Sequence, residues 1–171
     1  VRGAESELLR AVVQRVSDGG FSAPLLNQEV ASHLLDRHIS EQLERVNAGY
    51  RQKARAVRGW IDEHLGEFTE HVVGGKAGFY FYVTLSDVET REGSPFFRYL
   101  SRTTGAPEID GPEDARKPRV IYIPGEICVH PEGDLVEPGR RQLRISYGFE
   151  DLERVGDAIR LMREAALYAR A

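Results

Sequence analysis

The sequence predicts an α+β fold: helices first, then a small, mostly antiparallel sheet packed with helices. Three observations predict it. Apolar residues recur at steps of three and four from Leu8 to Leu65, alternate with polar ones in "GFYFYVTL" (78–85) and "QLRISY" (142–147), and return to helical spacing after Glu150.

The elements follow in order. "SELLRAVVQRV" (6–16) carries Leu8, Leu9, Val12, Val13 and Val16 at helical spacing, then stops at "SDGG". In "FSAPLLNQEVASHLLDR" a second helix begins. Ser22 can cap it, and Pro24 can sit in the first turn, where a missing N–H costs nothing. Leu26, Val30 and Leu34 form its stripe. Ser40 opens a longer pattern with Leu43, Val46, Tyr50, Ala54, Val57 and Ile61 on one face and Gly66 as its stop. Gly49 and Gly59 weaken that helix by about 1 kcal/mol each relative to Ala.

The register then changes. "FTEHVV" (68–73) and "GFYFYVTL" (78–85) read as strands joined by a "GGKA" turn with Lys76 at its tip. "SPFFRYLSRTTG" (94–105) has a Ser–Pro start and a Gly end, so it reads as a short helix. "APEIDGPEDARKP" (106–118) is a loop, "RVIYIP" (119–124) a third strand, and "GEICVHPEGDLVEPGR" (125–140) a long connection. In the next strand Leu143, Ile145 and Tyr147 alternate with Gln142, Arg144 and Ser146. The last helix places Leu152, Val155, Ile159, Met162 and Ala166 on one face, with Glu150, Asp151 and Glu153 near its positive end.

At 171 residues and net charge −4, with both signs interspersed, the chain has the size of one ordinary domain and no electrostatic footprint for nucleic acid. The basic run "RQKARAVR" (51–58) reads as a solvated helix face. No apolar run approaches the roughly 18–20 residues needed to span a membrane. A lone Cys128 allows no intrachain disulfide, which fits a reducing cytoplasm. The start "VRGAESELLR" has neither a secretory apolar region nor an initiator Met and reads as cut from a longer chain.

Arg144 is the leading site candidate. A guanidinium offers a planar fork matched to a carboxylate, and a strand fixes its direction. From spacing alone it is a solvent-face strand residue, and Arg140 and Arg141 dilute the signal. Cys128 and His130, two apart, lack the further pair that a closed zinc site needs, so no metal is expected, and nothing marks a base for the thiol. His33, His38, His64 and His71 read as surface or packing residues. "GGKAGF" is too short for a phosphate loop.

Taken together, "GFYFYVTL", "VIYIPGEICV" and "RQLRISYGFEDLERVGDAIRLM" resemble the C-terminal half of the class I/II pyridoxal-phosphate-dependent aminotransferases, which share the fold type I of aspartate aminotransferase. The carrying positions are Gly78–Phe79, Pro124–Gly125 and Arg144–Ser146–Tyr147; the two helices before them fall in the family's order, so the resemblance covers nearly the whole chain. It implies that residues 1–40 end the large cofactor-binding domain and that 41–171 form the small domain, which closes over substrate. It also implies amino acid and 2-oxo acid substrates, pyridoxal 5'-phosphate as cofactor, a homodimer, and Arg144 as the anchor of the substrate α-carboxylate.

One departure matters. The family's catalytic lysine closes a Ser-rich motif, and Lys53, Lys76 and Lys117 have no such context. The resemblance therefore implies that catalytic and cofactor-binding residues lie before Val1 and that this chain alone is inactive. A lyase or decarboxylase of the same fold, and a non-catalytic ligand-binding or regulatory module, remain as alternatives. The aromatic strand around Phe79 reads as core, with lining of the substrate pocket as the alternative.

Overall fold

A computed structural model of the chain describes residues 6–18 and 24–171. The Ser22 cap and the glycines that follow Asp18 lie outside the described residues. The chain divides into two compact units, Val1–Val46 and Asn47–Ala171.

The first unit holds helices α1 (Ser6–Asp18) and α2 (Leu25–Arg37) and the start of α3 (Ile39–Trp60). Pro24 stands at the cap position of α2 rather than inside its first turn. The apolar stripes expected here are present but exposed: Leu8, Val12 and Val16 on α1, Leu26, Val30 and Leu34 on α2.

The second unit is built on a four-stranded sheet in the order β1-β2-β4-β3, all neighbours antiparallel. The strands are β1 (Thr69–Gly74), β2 (Tyr80–Leu85), β3 (Ile123–Pro124) and β4 (Gln142–Ser146). Helices α4 (Pro95–Ser101) and α7 (Leu152–Arg170) pack against each other. The short turns α5 (Pro107–Asp110) and α6 (Val136–Gly139) lie in the loops. The fold is α+β, as the periodicities predict.

The core forms where those periodicities meet. Val57 from the end of α3, Ile61 from the turn that follows it, Val83 and Leu85 from β2, Leu143 from β4 and Ile159 from α7 are all fully buried. Each such side chain stabilises the fold by about 1.5–3 kcal/mol relative to exposure. Ser94 caps α4 by accepting from Phe97 N–H at 3.2 Å, with Pro95 as its first residue.

Two elements differ from expectation. Gly66 does not end the long helix in a left-handed cap: it keeps helical angles (φ −53°, ψ −41°). Instead the helix widens into a π turn at Ile61–Leu65 and tightens into a 3-10 turn at Gly66–Phe68, and both changes serve the buried Ile61, Leu65 and Phe68. Thr69 Oγ1 then donates to the Leu65 carbonyl at 2.8 Å. The expected strand 119–124 shrinks to Ile123–Pro124. Val120 N–H donates instead to the Leu100 carbonyl at the end of α4, and Tyr122 turns inward, its hydroxyl donating to the Thr90 carbonyl.

In the loop that carries α5, the Asp110 carboxylate gathers Thr104 N–H (3.1 Å), Thr104 Oγ1 (2.9 Å) and Gly105 N–H (2.8 Å). Burial alone would raise its pKa, but these donors and the nearby Arg116 outweigh it and hold the carboxyl below its usual value. A lowered folded pKa gives stability that is present above the unfolded value and lost as pH falls through the folded one. Asp110→Asn is therefore expected to lower Tm at pH 7 and to flatten the fall of Tm below about pH 4. Parallel Tm–pH curves for parent and variant would contradict this.

Candidate functional site

Strand β4 lies inside the sheet, between β2 and β3. Leu143, Ile145 and Tyr147 are buried on its core side, which forces Arg144 onto the opposite face. A one-residue slip would bury the arginine and expose three core residues, so the register is strongly specified.

The motifs that are far apart in the chain converge on this strand. Tyr147 N–H donates to the Phe79 carbonyl at 3.0 Å, and its hydroxyl donates to the Gly78 carbonyl at 3.1 Å. Gly78 has φ +69°, a left-handed angle that suits glycine. On the other side Pro124 pairs with Leu143, and Gly125 follows directly against Gln142.

Around Arg144 the outer face is polar and aromatic. Across β2 its partner is Tyr82, and across β3 it is Ile123. Tyr80, one step diagonal, puts its ring under the guanidinium, with Cζ 4.5 Å from the ring centroid. The Tyr82 hydroxyl donates to Gln142 Oε1 at 3.1 Å, and Gln142 Nε2 donates to Thr84 Oγ1 at 3.2 Å. Burial first, and then the adjoining Cys128, push the Tyr82 phenol up, while the Arg144 charge pulls it the other way. Tyr82 thus stays a neutral donor.

The neighbouring arginines are committed. Arg141 donates to Glu70 (2.8 Å) and to the Leu85 and Ser86 carbonyls, and Arg140 pairs with Glu137 at 3.3 Å. Among the described residues no carboxylate pairs with Arg144. A half-buried guanidinium with a free fork is ready to take an anion.

Among the other sequence candidates Cys128 reaches this face, beside the Tyr82 hydroxyl. Cys128 is exposed, and His130 Nδ1 accepts from Glu132 N–H at 3.2 Å. Among the described residues no three His, Cys, Asp or Glu side chains gather into a metal-sized group. Phe79 is half-buried and packs on the core, 5.8 Å from the Tyr50 ring. Arg51, Arg55 and Arg58 are exposed on α3 and line an open cleft with Lys76, as a solvated face should. Lys53 departs from that run: its ammonium donates to the Glu150 carbonyl at 2.7 Å, tying α3 to the entry of α7.

Tyr80 and Tyr82 belong to the arginine's surroundings, and the sequence reading did not single them out. Period two reveals the face of a strand but not which residue of the next strand stands opposite. The pairing of β2 with β4 supplies that.

No sequence-family model matches the chain. The chain is 27% identical over 162 residues to 2-aminoadipate transaminase of Thermus thermophilus, covering 95% of this chain and 35% of that protein. Its fold matches a crystal structure of alpha-aminoadipate aminotransferase from the same organism, complexed with N-(5'-phosphopyridoxyl)-L-leucine. The TM-score is 0.71 at 27% identity, over 96% of this chain and 36% of that one. The chain is thus homologous to the C-terminal portion of a fold type I pyridoxal-phosphate aminotransferase and spans about a third of the relative's length. Among the described residues no helix is long and apolar enough to cross a membrane.

Proposed function

We propose that this chain is the C-terminal part of a pyridoxal-phosphate-dependent aminotransferase, which transfers an amino group between an amino acid and a 2-oxo acid. In this reading Arg144 anchors the substrate α-carboxylate. One observation carries it: a guanidinium fixed on an inner strand, without a carboxylate partner among the described residues, in a chain homologous to an aminotransferase C-terminus.

The residues present do not form a cofactor site by themselves. No lysine lies on any of the four strands. Lys53 and Lys117 are held by the Glu150 and Glu108 carbonyls, and Lys76 lines an open cleft with three arginines rather than a site shaped to hold an aldehyde. The lysine and cofactor contacts that the chemistry requires are assigned to residues outside this chain. The contribution of this part is binding and orientation: a bidentate grip on a planar carboxylate fixes both the position and the rotation of the atom attached to it. Residues 1–40 are assigned to the large domain and 41–171 to the small, closing domain of a cytoplasmic homodimer.

The test is an assay of a protein that includes this chain and the cofactor-binding portion, supplied with pyridoxal phosphate, an amino acid and a 2-oxo acid. Amino transfer that depends on the oxo-acid acceptor is expected. Release of ammonia or CO2 without acceptor would replace the transferase reading with a lyase or decarboxylase. The 171-residue chain alone should neither transaminate nor give a defined absorbance band with pyridoxal phosphate. A band traced to one of its lysines would overturn the assignment of that lysine to another part of the enzyme.

A further inference from the structure

We propose that Tyr80 is the positioning residue of Arg144: its ring holds the guanidinium in place while leaving the N–H fork free for the carboxylate. The proposal rests on the reading of Arg144 as carboxylate anchor and adds the group that orients it.

A strand fixes the backbone of an arginine, not its long side chain, which keeps its rotamers unless something holds the far end. Arg141 is held by Glu70 and by the Leu85 and Ser86 carbonyls, and Arg102 and Arg170, which also lie over rings, donate to the Pro118 carbonyl and to Asp87. Such partners consume the N–H donors. Arg144 has no hydrogen-bond acceptor of that kind among the described residues, and its cation lies instead over the Tyr80 ring, 4.5 Å from Cζ to centroid. An aromatic face attracts the charge without satisfying the donors, so the fork is held yet still unpaired.

The arrangement is specific to Tyr80. Tyr82 stands directly opposite Arg144, but its hydroxyl is drawn to Gln142. Tyr80 pairs with Ser146, which puts it at the diagonal position that a large ring reaches across. The Phe79 ring braces it, with centroids 4.4 Å apart. Tyr80 remains 36% exposed, so its loss costs the core little. The ring, and not the hydroxyl, does the holding.

The test uses the full enzyme that contains this chain, with steady-state kinetics on Tyr80→Leu, Tyr80→Phe, Arg144→Ala and the Tyr80→Leu/Arg144→Ala double variant. Tyr80→Leu is expected to raise KM for both the amino acid and the 2-oxo acid about five- to tenfold, with kcat changed less and Tm unchanged. Tyr80→Phe should match the parent. In the Arg144→Ala background Tyr80→Leu should have no further effect. A second readout is the Arg144 side-chain N–H signal in the arginine-labelled protein, shifted by the ring in parent and Tyr80→Phe and released in Tyr80→Leu.

If Arg144→Ala raises KM but Tyr80→Leu leaves it unchanged, positioning by Tyr80 is wrong and the anchor stands. An equal effect of Tyr80→Leu with and without Arg144 would show that Tyr80 acts by another route, which also overturns the proposal. If Arg144→Ala itself is silent, the anchor reading falls and positioning falls with it.

Discussion

Arg144→Ala in the full enzyme is expected to raise KM for amino acid and 2-oxo acid steeply and to lower kcat/KM by about 100- to 1000-fold. That range corresponds to losing roughly 3–4 kcal/mol of transition-state stabilisation, a reasonable amount for a two-bond, charge-assisted grip in a closed site. The loss should reach KM and kcat together, because the same grip that binds the carboxylate also aims the atom beside it. Arg144→Lys keeps the charge but replaces the planar fork with a point charge, so it should recover only part of the activity. The comparison separates charge from geometry. Full recovery by lysine would mean that any cation suffices here, and an unchanged kcat/KM in the alanine variant would remove Arg144 from substrate binding altogether.

The sheet and the last helix were legible because burial there follows one period at a time. Phe81, Val83 and Leu85 alternate with Tyr80 and Tyr82, although Thr84 is buried as well, and Val155, Ile159 and Met162 recur at helical steps, so the pattern alone assigned their faces. Where contacts from elsewhere override the local pattern, the sequence misled. The apolar run at 119–124 looks like a strand, but Tyr122 is turned into the core by Thr90 and Val120 is bound by α4. Gly66 looks like a stop, but buried Leu65 and Phe68 on either side keep the chain winding past it. The site was half legible. Spacing left Arg144 an ordinary wet-face residue, and only its place among the aminotransferase-like motifs singled it out. The geometry adds what one strand cannot contain: the committed partners of Arg140 and Arg141, the uncommitted fork of Arg144, and the ring beneath it.

Gly125→Ala is expected to be strongly damaging to the second unit, and it tests the packing that fixes that arginine. A Cβ on Gly125 would lie 2.4 Å from Gln142 Cβ, 2.7 Å from the Gly139 carbonyl oxygen and 2.9 Å from the Gln142 carbonyl oxygen. None of these atoms is the end of a flexible side chain, so relief requires the backbone to move. The segment that would move is the turn after β3, which means prying Pro124 from Leu143 and loosening β4 two residues before Arg144. A cost of about 3 kcal/mol is expected, near the upper end for overpacking, with Tm lower by about 10 °C. Gly59 is the control. A Cβ there meets nothing within 4 Å, and the residue is helical, so Gly59→Ala should stabilise by about 0.5–1 kcal/mol. Thermal unfolding of the two variants should therefore move in opposite directions. If Gly125→Ala melts with the parent, the turn can back away from β4 at no cost. The close approach of Pro124–Gly125 would then not be what holds the Arg144 strand.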